Sequence, residues 1–151
     1  MLRVPSALSI LAATSLVIAS GCGPSKPSTD ATGNGAIISS PTERAAYAGH
    51  QAFPQTQPSG ELPVVAIVSR DKKQLNLYNV GKQAIRNVDI WVNGSYVSRI
   101  AGLAPQSKVV ISTTEIYNGL GHSLASRGEE ISRVQLDDAG RLYNLMGPVT
   151  E

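Results

Sequence analysis

The stretch Val88-Asp89-Ile90-Trp91-Val92-Asn93-Gly94-Ser95-Tyr96-Val97 decides the fold. Apolar residues alternate up to Asn93-Gly94, a dipeptide that fills both positive-φ positions of a type I′ turn, whose twist matches the strands it joins. A two-residue hairpin is expected. Its register places Ile90 opposite Val97, Trp91 opposite Tyr96 and Asp89 opposite Ser98. Val88, Ile90, Val92 and Val97 then share the core face, while Asp89, Trp91, Tyr96 and Ser98 look outward.

The same short-period alternation extends on both sides of the hairpin. Strands are predicted over residues 64–69, 74–78, 86–92, 95–100, 108–113, 131–137 and 141–145, with turn chemistry between them. Asp137-Asp138-Ala139-Gly140 suggests a second hairpin, with Gly140 closing a type I turn and bulge. Leu103-Ala104-Pro105-Gln106 suggests a further reversal. Residues 117–130 read as a loop with one helical turn near 122–126. Seven short antiparallel strands within 63–151 make the expected fold class all-β, a small sandwich of two sheets.

The segments Leu77-Tyr78-Asn79-Val80-Gly81, Ile85 to Gly94, and Leu103-Ala104-Pro105 before Val109 resemble the immunoglobulin-like, adhesion-related sandwiches of prokaryotic surface proteins. In these a strand enters an Asn-x-Gly corner and a later strand ends in a hairpin. The resemblance implies an immunoglobulin-like fold and a surface context, and it names no ligand. The Cys-Trp-Cys core of antibody domains is not part of the pattern.

The first residues read as an address. Arg3 precedes an apolar stretch from Ala7 to Ala19, followed by Ala19-Ser20-Gly21-Cys22, which is export-signal anatomy. The apolar part falls short of the roughly 20 residues that span a hydrocarbon core. With the only cysteine of the chain at its end, the segment resembles a bacterial lipoprotein signal, departing from the commonest lipobox in having Ala19 where Leu is usual. That resemblance implies cleavage of residues 1–21, lipidation of Cys22, and a membrane partner reached through acyl chains. Each buried methylene adds about 0.8 kcal/mol of membrane affinity, so two or three chains hold firmly. Gly23 at the following position implies an outer-membrane site facing the periplasm if the organism is Gram-negative.

Residues 22–62 are rich in Pro, Gly, Ser, Thr and Gln and read as a disordered, flexible linker. One exception stands out. Ser40-Pro41-Thr42-Glu43 matches a capping box with Pro at the first helical position, and Gly49 marks a stop. A helix this short is marginal alone, so it either docks through Ile37, Ile38, Tyr47 and Phe53 or forms only transiently.

Composition narrows the function. The chain has 151 residues, 13 Lys plus Arg, 11 Asp plus Glu and a formal charge of +2, and its basic residues are scattered, so no nucleic-acid partner is expected. One cysteine excludes an internal disulfide framework. His50 and His122 lack carboxylates at helical spacing, so no metal and no catalytic residue is assigned. Gly119-Leu120-Gly121-His122-Ser123-Leu124 imitates a dinucleotide fingerprint but lacks its third glycine and a βαβ frame. No Gly-x-Ser-x-Gly elbow is present. Glu129-Glu130 and Asp137-Asp138 read as solubilising charge more readily than as a Ca²⁺ site. No cofactor is implied, and no enzyme is expected.

Trp91 and Tyr96 are the candidate ligand or partner patch, as an aromatic platform for an envelope protein or a glycan. A third reading has the linker, the 117–130 loop or the second sheet covering them. The expectation is a lipid-anchored cell-envelope protein with a binding or structural role through a small β-sandwich. The alternatives are a carbohydrate or cell-wall binding module, or an accessory lipoprotein of a larger envelope complex.

Overall fold

The computed structural model describes residue 38 and residues 40–147. The expected signal segment 1–21, the expected lipidation residue Cys22 and the docking candidate Ile37 lie outside the described residues. Helix α1 spans Pro41–His50. Its start is the predicted capping box: Ser40 Oγ accepts from Glu43 N at 3.2 Å, and Glu43 Oε2 accepts from Ser40 N at 3.1 Å.

Two sheets, antiparallel but for the edge pair β1–β9, form a sandwich. The larger joins β1 (Glu61–Leu62), β9 (Arg141–Leu145), β8 (Val134–Asp138), β4 (Ile85–Val92), β5 (Tyr96–Leu103) and β7 (Tyr117–Asn118), in that order. The smaller joins β2 (Val64–Val68), β3 (Gln74–Asn79) and β6 (Lys108–Ser112). All seven predicted strands are present. Two-residue β1, parallel to β9, and two-residue β7 are additions at the sheet ends. Helix α2 (Leu124–Arg127) is the predicted turn in the 117–130 segment, capped by Ser123 and closed by Gly128 at φ 62°.

The core lies between the sheets. Val64, Leu75, Leu77, Val88, Ile90, Val92, Ile100 and Leu136 are fully buried there, supplied by alternate positions of facing strands. Burial at about 25 cal/mol per Å² of apolar surface is the main stabilising term of such a layer.

The β4–β5 hairpin corrects the expected register by one residue. The ladder pairs Val92 with Tyr96, Trp91 with Val97, Ile90 with Ser98 and Asp89 with Arg99. Asn93 and Gly94 do take positive φ, 52° and 68°, and Ser95 N donates to Val92 O at 3.1 Å, but Ser95 stays in the loop as an unpaired residue. A one-residue slip flips every side chain to the other face. Tyr96 and Ser98 therefore point into the core, and Val97 joins Trp91 outside. Packing drives the choice, because the Tyr96 ring fills the core while its hydroxyl donates to Glu129 Oε1 at 2.7 Å. Asn93 is held in place by residues 130–133: its Oδ1 accepts from Ser132 N and Arg133 N, and its Nδ2 donates to Glu130 O at 2.7 Å.

The second hairpin differs in turn type. Asp138 pairs with Arg141, and both Ala139 and Gly140 have positive φ, 51° and 84°, so the loop has two residues and no bulge. Gly140 N donates to Asp137 Oδ1 at 2.7 Å, which favours the tighter turn.

The linker boundary also moves. Within the expected linker 22–62, residues 40–62 are packed against the larger sheet. Ala48 is buried with Trp91, Val97 and Leu142, and Tyr47, Phe53 and Tyr117 pack around them as a second, outer cluster. Docking supplies what the short helix lacks by itself.

Candidate binding site

The expected aromatic platform is not formed. Trp91 is 4% exposed on the outer face, and Tyr96 is 1% exposed on the core face, so the two rings belong to opposite sides of one sheet. Phe53 covers Trp91 edge-on, with ring centroids 5.3 Å apart and planes at 79°. Among the described residues, buried Trp91 Nε1 finds no hydrogen-bond partner, nor does Oε1 of Gln135, the residue that faces it across β4 and β8. That burial leaves neither aromatic ring for a sugar or a partner surface.

The outer layer carries a polar network instead. Tyr47 Oη donates to Asp89 Oδ1 at 2.6 Å, and Arg99 Nη1 donates to the same phenol oxygen at 3.0 Å. Burial raises the Asp89 carboxyl above its ordinary range, although Tyr47 and Arg99 pull it the other way. Burial, then the Asp89 bond, pushes Tyr47 up to about 12. Arg44 on α1 reaches Glu115 at 2.8 Å and donates to Ile38 O at 2.9 Å. These contacts fasten α1 to the larger sheet.

His50 and His122 are exposed, and among the described residues no three His, Cys, Asp or Glu side chains gather where a metal ion could be held. Asp137 is engaged in its own hairpin turn, and Glu129 accepts from Tyr96.

The open ground lies at the edge of the sandwich, where three strands cannot cover six. Along β9, Leu142 faces the outer cluster and Leu145 the core, so Tyr143 faces inward, yet it is only partly buried. A cleft of about 460 Å³ opens there, floored by Leu62, Pro63, Ile85 and Tyr143 and rimmed by Lys82, Arg86 and Asp138. Its size is typical of a small-molecule site. A second cleft, about 310 Å³, lies by Asp71 and Lys72. There Asp71 already accepts from Ser69 Oγ and Lys73 N, which hold its pKa below the ordinary value.

The wall carrying Lys82 is built rigidly. Asn79, 1% exposed, donates to Gln83 O at 2.8 Å and Leu103 O at 3.1 Å, and its Oδ1 accepts from Gly81 N at 2.9 Å. Gln106 Nε2 bonds Val80 O and Gly81 O, and Val80 N donates to Pro63 O. A Cβ on Gly81 would stand 2.5 Å from Pro63 Cγ, so only glycine allows this loop to press against the crossover from β1 to β2. Asn87, at φ 53°, interrupts the β4 ladder between Arg86 and Val88, so Ile85 packs on the core while Arg86 is exposed.

Sequence reading gave the Asn-x-Gly corner but not these site residues. The signal was two cations, Lys82 and Arg86, bracketing Gln83-Ala84-Ile85 just after that corner. Comparison of the chain with protein-family models, with curated proteins and with solved structures gives no match.

Proposed function

We propose that the protein is a lipid-anchored component of a bacterial cell envelope that acts by binding through its β-sandwich, without catalysis. The observation that carries this reading is the position of the only cysteine, Cys22, directly after the apolar stretch 7–19 and Ala19-Ser20-Gly21. The resemblance of residues 77–109 to immunoglobulin-like surface sandwiches supports the same setting. Sixteen positions separate Cys22 from Ile38, where α1 begins to be held. That stretch spans at most about 55 Å when fully extended. The sandwich would therefore work close to the bilayer.

Metabolic labelling with palmitate and membrane fractionation test the reading. Label and sedimentation with membranes, both lost in Cys22→Ser, are expected. A wild-type chain that is unlabelled and stays in the soluble fraction overturns it. The second reading is an accessory role in a larger envelope assembly, favoured by Val110, 43% exposed on edge strand β6. The carbohydrate reading loses its support with the burial of Trp91 and Tyr96.

A further inference from the structure

We propose that the cleft beside Pro63 binds an amphiphilic anion: an apolar chain lying on Leu62, Pro63, Ile85 and Tyr143, with one carboxylate or phosphate held by Lys82 and Arg86. This deepens the reading of the sandwich as a binding module and rests on it.

Three features point to that chemistry. Leu62, Ile85 and Tyr143 of the floor belong to the larger sheet, Leu62 and Ile85 packing against the core, and Pro63 lies on the crossover to the smaller sheet. Apolar surface of this kind gains free energy when a ligand displaces its water. Lys82 and Arg86 line the same cleft, and their side chains form no ion pair or hydrogen bond with the described residues. An ammonium and a guanidinium without carboxylate partners offer charge-assisted hydrogen bonds to an incoming anion. Finally, the loop bearing Lys82 is fixed before any ligand arrives, through the three Asn79 bonds, the Gln106 clamp and the Gly81–Pro63 contact. Preorganisation of this kind lowers the ordering cost of binding.

The charge count sets the valence. Asp138 is the one carboxylate in the lining among the described residues, so the two cations leave a net charge of +1 there. A single negative head matches it, whereas an extended polyanion would meet too few cations and one repelling carboxylate. The shared ligand chemistry is a single apolar chain on an acidic head, found both in free fatty acids and in single-chain phospholipids.

The test is a calorimetric titration of the full chain carrying Cys22→Ser, which removes any attached acyl group as a competitor. The probes are dodecanoate and dodecyl phosphate below their micelle concentrations, dodecyltrimethylammonium with the same tail and opposite charge, and acetate and inorganic phosphate as bare heads. Saturable one-to-one binding of at least one anionic amphiphile is expected, at least tenfold tighter than the cationic amphiphile or the bare heads. Dodecanoate alone would assign a fatty acid, and dodecyl phosphate alone a phospholipid. In the Lys82→Ala/Arg86→Ala double variant the affinity falls at least tenfold, while Arg70→Ala, an exposed residue outside the cleft, leaves it unchanged. Equal binding of anionic and cationic tails, absence of binding, or indifference to the double variant overturns the proposal. Palmitate labelling at Cys22 reads out separately, so anchoring can stand while this site falls.

Discussion

The phenol of Tyr47 donates a 2.6 Å hydrogen bond to the carboxylate of Asp89, tying α1 to the middle of β4 across forty-two residues of sequence. Arg99, opposite Asp89 in the β5 ladder, completes the contact by donating to the same phenol at 3.0 Å and lying 3.8 Å from the carboxylate. A ten-residue helix gains little by itself in water. This bond and the apolar seat of Ala48 make residues 40–62 part of the domain.

The bond makes stability fall at alkaline pH. Tyr47 is raised from its usual 10.0 to about 12 in the fold, so its contribution is fully present below pH 10 and is lost as pH rises from 10 through about 12. Asp89, also raised, works in the same direction at acidic pH: its contribution is present below the ordinary carboxyl range and declines as the group ionises. Urea unfolding between pH 9 and pH 12, read by circular dichroism, is expected to lose stability in wild type and to lose less in Tyr47→Phe. That variant starts about 1 kcal/mol lower at neutral pH, the ordinary contribution of one hydrogen bond. Identical alkaline profiles would contradict the assignment.

Phe53 is the lid of the outer cluster. Because it is partly buried and packs edge-on against Trp91, Phe53→Ala should destabilise by about 2 kcal/mol, less than a fully buried phenylalanine would. Trp91 emission should shift to the red in the same variant as water reaches the indole. An unchanged emission maximum would mean that the ring is shielded by something other than Phe53.

Gly81→Ala probes the wall of the cleft. Its φ is not in the left-handed region, so the effect comes from the added methyl, 2.5 Å from Pro63 Cγ. Overpacking of this kind is expected to destabilise by about 1–3 kcal/mol in urea unfolding and to displace Lys82 with its loop. Wild-type stability in this variant would show that the loop gives way freely and is not a preorganised wall.

Much of the architecture was legible because it is local. Strand alternation, Asn93-Gly94 and the Ser40-to-Glu43 capping box each depend on residues a few positions apart, and each appears where expected. The register of the first hairpin was not legible, since it is set by where the Tyr96 ring finds space and its hydroxyl finds Glu129, thirty-three residues away. The seat of α1 was hidden for the same reason: the capping box shows that a helix starts, but Asp89 and Arg99 decide that it docks. The cleft depends on the mismatch between a six-stranded and a three-stranded sheet, a property of the pairing that no single segment carries. Trp91 looked like a surface residue because it sits opposite the core face, and only the seating of Phe53 and α1 buries it.

Intact-mass and N-terminal analysis of the protein recovered from the membranes of its own host addresses the central claim most directly. A mature chain that begins at Cys22 and carries a diacylglyceryl group, with or without a further acyl chain on the new amine, is the predicted result. A mature chain that begins elsewhere, or a Cys22 with a free thiol, would contradict it.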